Sequence, residues 1–338
     1  MNRFDYVRPM SIDEAIRALA ETPAAKIIAG GTNLVDLMKY DVMAPDTIID
    51  INELDLKDFV REEDGSYRIG ALVTNSRIAY APEIREDLPL LASAILAGAS
   101  PQLRNAATTA GNLLQRTRCS YFYDPSTNCN KREPGSGCSA IGGLTRMHAI
   151  LGTSPSCIAV HPSDMCVALA ALDAVVEVVG PKGARDIPFS DFHRQPGDRP
   201  QHDTTLAGDE IILAIRIPPC RFGNHHTYVK LRDRQSYAFA LVSASVGLDI
   251  EDGVIKSAAV AMGGVAHKPW RDPKAEEMLI GKTPGMEAFH AFAQAYLSTA
   301  TGQGGNDFKI PLARRLLVRA LKQAAAGTPQ DQSDKSIN

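Results

Sequence analysis

The chain has 338 residues, of which 44% are hydrophobic and 22% are charged, and its 36 Lys and Arg against 39 Asp and Glu give a formal charge of −3. This composition is typical of a globular protein with roughly two domains. A charge so close to zero, without a basic arm, argues against nucleic acid as a partner. No apolar run reaches the ~18–20 residues of a membrane span, and the charged N-terminus does not resemble a signal peptide. We therefore expect no membrane partner and no export signal in the chain itself.

The first 53 residues predict a βαβ subdomain. A short strand over 4–9 ends at a proline, and the capping-box sequence Ser11-Ile-Asp-Glu14 predicts that a helix begins directly after it. The pattern then predicts a strand over 26–29, a Gly-Gly turn, a helix over 34–40 and a strand over 47–51.

Residues 54–220 predict a second subdomain, which ends where Pro218 and Pro219 follow a strand. The elements expected within it are strands over 67–73, 174–179 and 211–217 and apolar helices over 88–97 and 165–172. Between them, residues 100–156 are polar and rich in glycine. That is long for a structureless loop in a compact domain, so we expect this stretch to be functional or held by something other than an apolar core.

Residues 221–326 predict a smaller α+β domain. Its expected strands lie near 227–231, 238–249 and 255–263, and its expected helices near 287–299 and 311–325. The last residues, 327–338, are polar and predict a disordered tail.

Two short glycine turns have the composition of anion sites. Ala29-Gly-Gly-Thr-Asn33 lies between a predicted strand and a predicted helix, where backbone N–H groups can bind a phosphate. It has neither the G-x-G-x-x-G signature of dinucleotide-binding folds nor the G-K-[ST] signature of P-loops. A Gly-Gly turn that only connects the strand to the helix, without binding a ligand, explains the pattern about equally well. Thr108-Thr-Ala-Gly-Asn112 is a second such turn. Two of them in one domain suggest a long ligand with a diphosphate, such as FAD.

Four cysteines fall within the polar stretch, at Cys119, Cys129, Cys138 and Cys157, with nine, eight and eighteen residues between them. Structural zinc normally uses closely spaced cysteine pairs, and a chain without a secretory signal favours free thiols over disulfides. A [4Fe–4S] cluster needs four thiolates and tolerates wide spacing, although independent cysteines explain the spacing as well. Four nearby cations could offset the charge of a cluster: Arg116, Arg118, Lys131 and Arg132.

The fourth ligand has competitors. Cys166 lies in the apolar 165–172 helix, where a cysteine is usually a core residue, so Cys157 in the irregular loop is the preferred ligand. His148 is a possible nitrogen ligand, although a lone loop histidine is more often a hydrogen-bonding residue. Cys220, beside the two prolines, has no expected role.

Longer motifs carry a resemblance that runs in order over nearly the whole chain. The sequence resembles the FAD-binding medium subunit of the xanthine dehydrogenase/aldehyde oxidoreductase family of molybdenum hydroxylases. Its insertion at about 115–160 resembles the flavin subunit of bacterial periplasmic aldehyde oxidoreductases, which also holds a [4Fe–4S] cluster. The motifs are Ile28-Ala-Gly-Gly-Thr-Asn-Leu34, Gln102-Leu-Arg-Asn-Ala-Ala-Thr-Thr-Ala-Gly-Asn-Leu113, His161-Pro-Ser-Asp164, Tyr228-Val-Lys-Leu-Arg-Asp-Arg234 and Gly263-Gly-Val-Ala-His-Lys-Pro-Trp-Arg271.

The resemblance implies an α+β fold, in which a vanillyl-alcohol-oxidase/PCMH-type FAD-binding domain over 1–220 precedes a smaller α+β flavoprotein C-terminal domain over 221–326. Ser163 and Asp164 match a Ser-Asp pair near the FAD, Ile212 is expected to pack on the flavin, and Lys230 to approach the isoalloxazine ring. The remaining FAD contacts that it implies are Lys26, Ile27, Ile28, Ala29, Gly30, Gly31, Thr32, Asn33, Leu34, Thr108, Gly111 and Asn112. The implied ligands of the [4Fe–4S] cluster are Cys119, Cys129, Cys138 and Cys157.

The implied function is electron transfer within a heterotrimer, with a large subunit that holds the molybdenum cofactor and a small [2Fe–2S] subunit. FAD would take electrons from the clusters and deliver them to a terminal acceptor, and no catalytic residue is assigned in this chain. The compartment is the periplasm, by export with a partner subunit, or the cytoplasm. The oxidised substrate, the acceptor and the role of the cluster as relay or structural clasp stay open.

Two other functions stay open beside this one. A stand-alone FAD oxidase of the same fold would need its own base, for which His267 next to Lys268 is the available candidate. A zinc-clasped interaction subunit would use the cysteines without electron transfer.

The sequence departs from the family pattern at two positions. Ala110 stands where many relatives have the first glycine of a Gly-Gly-Asn turn, and Tyr237 stands where relatives often have Asp. The second departure lies near the expected flavin site, so we do not expect NAD use to follow from the resemblance.

Overall fold

The computed structural model describes residues 1–327, so the predicted tail lies, beyond Gly327, outside the described residues. The strands are β1 Asp5–Val7, β2 Lys26–Ile28, β3 Thr47–Asp50, β4 Phe59–Arg61, β5 Tyr67–Gly70, β6 Val175–Gly180, β7 Gly183–Pro188, β8 Ile211–Ile217, β9 His226–Leu231, β10 Val242–Glu251, β11 Val254–Gly263 and β12 Trp270–Arg271. The helices are α1 Ile12–Glu21, α2 Leu34–Lys39, α3 Asn75–Tyr80, α4 Pro82–Asp87, α5 Pro89–Ala97, α6 Pro101–Ala106, α7 Thr109–Leu113, α8 Ser120–Tyr123, α9 Asp164–Ala171, α10 Phe189–Phe192, α11 Pro273–Glu276, α12 Met286–Tyr296 and α13 Lys309–Ala325.

The N-terminal elements form a small parallel sheet in the order β1-β3-β2. The predicted cap begins α1, because the Ser11 hydroxyl accepts a hydrogen bond from the Glu14 N–H at 3.2 Å. The Glu14 carboxylate accepts from the N–H of Met10 at 2.8 Å, one residue before the position that the capping box predicts. The sheet places the turn after β2 beside α7, where both glycine turns meet.

The second sheet is antiparallel, with strands in the order β4-β5-β8-β6-β7. Helices α5 and α9 pack against each other and against strands β9, β10 and β11, with all eight residues of α9 and six of the nine residues of α5 buried. This explains why their sequences are apolar on all sides instead of showing one apolar stripe. The N-terminal and second subdomains share one continuous apolar core.

The C-terminal part is a four-stranded antiparallel sheet in the order β12-β11-β10-β9, with α12 and α13 packed on it. The predicted strand from residue 238 begins four residues later, at Val242. The chain turns before it, because Tyr237 has a positive φ of 49° and its carbonyl oxygen accepts hydrogen bonds from the guanidinium of Arg234.

The polar stretch over 100–156 contains three short helices, α6, α7 and α8, which the sequence pattern did not predict because each is under two turns long. Ser100 and Thr108 cap the first two. From 124 to 156 the chain has no helix or strand. Its first half contributes to a small apolar cluster through Cys129, which packs with Leu37 and Phe122.

The end of this stretch packs into the C-terminal part instead. Ile150 and Leu151 belong to the C-terminal apolar core, and both of their N–H groups donate to the carbonyl oxygen of Val265. Within residues 1–327, no helix combines the length and the apolar character that crossing a bilayer requires.

Candidate functional site

A cleft of about 420 Å³ opens along the first glycine turn, and we call it the loop cleft. Many of the expected FAD contacts line it. They are the nine residues Lys26, Ile27, Ile28, Ala29, Gly30, Gly31, Thr32, Asn33 and Leu34, together with Thr108, Gly111 and Ile212. The β-sheet and α7 thus bring the two glycine turns to one wall of a single cleft, as their composition predicts.

The two turns touch backbone to backbone. A Cβ atom on Gly30 would lie 1.9 Å from the carbonyl oxygen of Ala106, so any larger residue would push the turns apart. Gly31 adopts a positive φ of 68°, which favours glycine at that position as well. Ala110, where relatives have glycine, lines the cleft without distorting it.

The polar groups of the loop cleft fit an anionic ligand. The Asn33 side-chain carbonyl oxygen accepts from the Arg116 N–H at 2.8 Å, and its amide group lies beside the Tyr123 hydroxyl. Burial and the neighbouring Arg116 charge lower the pKa of Lys26, as expected for two cations that share a partly buried site. Two cations beside glycine backbone suit the diphosphate of FAD.

A second cavity, of about 270 Å³, lies between the second subdomain and the C-terminal sheet, and we call it the central cavity. Ser163 and Asp164 line it. The Ser163 hydroxyl caps α9 and donates to the Asn112 side-chain oxygen at 2.5 Å, which links the second glycine turn to this cavity.

Lys230 lies behind the central cavity and does not line it. The Asp164 carboxylate accepts hydrogen bonds from Lys230 Nζ at 2.8 Å and from the Tyr228 hydroxyl at 2.6 Å. Lys230 also donates to the Ala97 carbonyl oxygen at 3.1 Å. This buried ion pair ties β9 to α5 and α9. Ile212 likewise lies in the loop cleft and not in the central cavity.

A third cavity, which is narrow, is the cysteine cavity. All four cysteines of the polar stretch, Cys119, Cys129, Cys138 and Cys157, line it. Cys129 and Cys138 face each other in an antiparallel bridge, and the Ala159 N–H donates to the Cys157 sulfur at 3.4 Å. The fold therefore brings four cysteines that span 38 positions of the sequence to the lining of one cavity.

The sulfur spacing bears on the kind of metal site. Within residues 1–327, no three of these four sulfurs lie within 4.8 Å of one another. Tetrahedral zinc, with Zn–S bonds of about 2.3 Å, would bring its sulfurs to about 3.8 Å apart. The sulfurs are therefore not arranged as in a preformed tetrahedral zinc site. Burial raises the pKa of Cys119 to about 12, which favours the neutral thiol.

The cations near the cysteines have defined partners. Lys131, which lines the cysteine cavity, donates to Asp203 at 2.5 Å, and Arg116 donates to the same carboxylate at 2.8 Å. Burial alone would raise the pKa of Asp203, but these two cations outweigh it and hold the pKa well below its usual range. Sequence reasoning missed Asp203, because an acidic residue in a polar loop gives no signal that it is partly buried between two cations.

The other two cysteines, Cys166 and Cys220, and the possible nitrogen ligand His148 do not line the cysteine cavity. Cys166 is fully buried in α9, away from the cysteine cavity, where its sulfur lies within 4.8 Å of nitrogen atoms of His161 and His193. His148 lies beside the cavity as a hydrogen-bonding residue, with Nε2 at 3.1 Å from the Cys119 sulfur.

His267, the candidate base, is a structural residue in this arrangement. Its Nδ1 donates to the Arg194 carbonyl oxygen at 2.8 Å, and its Nε2 accepts from Lys131 at 2.6 Å. Burial lowers its pKa to about 4, and neither nitrogen is free to accept a substrate proton.

Two known protein families match successive parts of the chain. Residues 2–220 match the model described as the FAD binding domain in molybdopterin dehydrogenase, and residues 226–324 match the CO dehydrogenase flavoprotein C-terminal domain. The chain therefore belongs to the FAD-binding medium subunits of the molybdenum hydroxylases, and it is an FAD-binding oxidoreductase subunit. The resemblance in the sequence, the fold class and the expectation of FAD are confirmed.

Individual relatives cover nearly the whole chain. It is 48% identical to the aldehyde oxidoreductase FAD-binding subunit PaoB of Escherichia coli (strain K12), over 96% of this chain and 99% of the relative. The carbon monoxide dehydrogenase medium chain of Afipia carboxidovorans is 26% identical, over 96% and 97%. A solved structure of carbon monoxide dehydrogenase from Hydrogenophaga pseudoflava superposes with a TM-score of 0.76 at 26% identity, over 96% of this chain and 98% of that chain. The family assembles such medium subunits with other subunits.

Proposed function

We propose that this chain is the flavin subunit of a molybdenum-dependent aldehyde oxidoreductase and that it carries a [4Fe–4S] cluster in addition to FAD. The observation that carries the second part is the convergence of Cys119, Cys129, Cys138 and Cys157 on one cavity. The aldehyde as substrate rests on the 48% identity to an aldehyde oxidoreductase subunit over nearly the whole length of both chains.

In this proposal the loop cleft binds the ADP portion of FAD and the central cavity receives the flavin ring. The backbone of Gly30 and Gly31 and the side chain of Asn33 would bind the diphosphate. Ser163 lines the central cavity and is hydrogen-bonded to Asn112, so the cap of α9 and the second glycine turn would move together. Asp164 and Lys230 keep the wall of that cavity rigid.

Bound FAD supplies the exchange between one-electron and two-electron transfer, and the protein supplies its position. Asp164 and Lys230 are paired with each other, and both ring nitrogens of His267 are engaged, so none of these three residues is available as the base that a stand-alone FAD oxidase needs. The 48% identity to an FAD-binding subunit over nearly the whole of both chains supports an electron-transfer role. Within residues 1–327 the four sulfurs form no close tetrahedral group, and their sequence lacks the closely spaced cysteine pairs of structural zinc, which supports an iron–sulfur cluster over a zinc clasp.

We further propose a heterotrimer with a molybdenum-cofactor large subunit and a [2Fe–2S] small subunit. We propose two domains in this chain, an FAD-binding domain over 1–220 and a C-terminal domain over 221–326. The FAD-binding domain would consist of subdomains 1–53 and 54–220, and the second of these would contain an insertion at about 115–160. Export of the folded complex by a partner's signal, or retention in the cytoplasm, are both compatible with the chain.

Co-expression with the neighbouring molybdenum and [2Fe–2S] subunits tests the proposal. Addition of an aldehyde to the anaerobic complex should bleach the flavin absorbance, whereas the isolated chain with FAD should show no change. Flavin reduction by aldehyde in the isolated chain would establish a stand-alone oxidase instead. Failure to co-purify with a molybdenum subunit would contradict the assembly.

A further inference from the structure

The central cavity and the cysteine cavity share a wall. Thr117 and Cys119 line both of them, and among the four cysteines Cys119 is the one that does so. His148 lines the central cavity, and its Nε2 lies 3.1 Å from the Cys119 sulfur. A histidine therefore stands beside the cysteine that separates the two sites.

The hydrogen-bonding pattern assigns the imidazole proton. His148 Nε2 lies 3.1 Å from the Cys119 sulfur. A thiolate that binds a cluster has no proton and can only accept a hydrogen bond, so the imidazole nitrogen beside it has to be the donor. The proton is therefore placed on Nε2, from which it is donated to the Cys119 sulfur.

The position of His148 is built by the C-terminal part of the chain. Its carbonyl oxygen accepts hydrogen bonds from Asn306 at 3.1 Å and from Lys309 Nζ at 2.8 Å, and both of these side chains are fully buried. Lys309 also donates to the carbonyl oxygen of Gly264, another residue of the central cavity, at 2.5 Å. A fully buried lysine that bonds these two carbonyls fixes the backbone from which the imidazole projects.

We propose that His148 is a positioning residue that donates its Nε2–H to the sulfur of Cys119, the cysteine that also lines the central cavity. This hydrogen bond raises the reduction potential of the [4Fe–4S] cluster. The inference rests on the proposed function, because it requires Cys119 to be a cluster ligand. A hydrogen bond to a ligating sulfur withdraws negative charge and so favours the reduced cluster, which carries one more electron.

The test compares His148→Leu, which removes the donor, with His148→Gln, which keeps one, in the purified complex loaded with iron and FAD. A redox titration followed by EPR should show a lower midpoint potential of the [4Fe–4S] signal in His148→Leu and a return toward the original value in His148→Gln. His226→Leu is the matched control, because His226 is equally buried, has a partnerless Nδ1 and lines none of the three cavities. Its midpoint should not change.

The iron and sulfide content separates the two proposals. If the unaltered protein contains FAD but no iron, both the cluster and the role of His148 are wrong. If His148→Leu has full iron content and an unchanged midpoint, this inference alone is overturned. Should His148→Leu fail to assemble, pulsed EPR of the unaltered protein labelled with ¹⁵N-histidine decides. We expect a histidine nitrogen coupled to the reduced cluster, and its absence overturns the inference.

Discussion

Gly30 occupies a place where even one additional carbon atom would meet the backbone of Ala106 at 1.9 Å. We expect Gly30→Ala to open the contact between the two glycine turns and to weaken FAD binding at least tenfold, because the diphosphate loses its backbone donors. The ratio of bound flavin to protein after gel filtration measures this. Gly285→Ala is the control, since a Cβ on Gly285 would meet nothing nearer than the Thr283 carbonyl oxygen at 3.9 Å, and it should retain its FAD. Full FAD content in Gly30→Ala would show that this turn does not bind the cofactor.

Asp164 is the buried negative charge that balances Lys230, and removing this charge should lower the stability of the fold. Asp164→Asn leaves the buried Lys230 cation without its counter-ion, and breaking a buried pair in this way costs about 3–5 kcal/mol of stability. Urea denaturation should show this loss, and adding Lys230→Met should recover part of it. The exposed pair Arg146–Asp233 provides the contrast, because Asp233→Asn should change stability little. A small effect of Asp164→Asn would mean that water or another group already compensates Lys230.

At the scale of elements, the stretch from 124 to 156 has no helix or strand, and its own apolar cluster is small. If four thiolates bind a cluster, that cluster supplies much of the order of the stretch, because metal binding then contributes to folding. Cys129→Ser should lose its iron and become sensitive to limited proteolysis within this stretch. Cys220→Ser should keep its iron and remain resistant. Equal resistance of both variants would show that the stretch is ordered without metal.

The elements also show how far the sequence could be read. The βαβ pattern, the Ser11 cap, the two glycine turns and β8 were predictable, because each depends on neighbouring residues in the chain. Helices α6, α7 and α8 were not predictable, since one or two turns give no periodic signal. The convergence of the four cysteines was proposed from their number, but spacing alone left zinc and independent thiols open.

The side-chain positions that could not be predicted from the sequence depend on contacts between distant segments of the chain. Asp203 with Lys131, and Lys309 with the His148 carbonyl, join segments more than 70 residues apart. Nothing local distinguishes Lys309 from a surface lysine at the start of a helix. Lys230 was expected near the flavin from the family motif, while the structure places it behind Asp164, a position that only the packing of β9 on α9 determines.

Across the whole molecule, burial of neutral histidines makes stability depend on pH. Burial lowers the pKa of His193, His226 and His267 to about 4, compared with 6.5 for an ordinary histidine. Between about pH 6.5 and 4 the unfolded chain therefore binds more protons than the folded chain, so stability falls as the pH decreases through this window. Asp203, whose pKa is also lowered, adds its own loss only below its ordinary value of 3.8.

Urea denaturation at pH 7.5, 6.5 and 5.5 measures this dependence. We expect the free energy of unfolding to decrease between pH 6.5 and 5.5, and His226→Gln, which removes one buried imidazole, to make the decrease smaller. A stability that is constant or higher at pH 5.5 would mean that these histidines are charged in the folded protein.

Whether one chain holds both FAD and a [4Fe–4S] cluster is decided by cofactor analysis of the anaerobically purified protein. We expect one FAD with about four iron and four sulfide ions per chain, and an EPR signal that appears on reduction and is absent in Cys129→Ser. A protein that contains FAD with zinc, or FAD with neither iron nor sulfide, would show that this chain carries no such cluster.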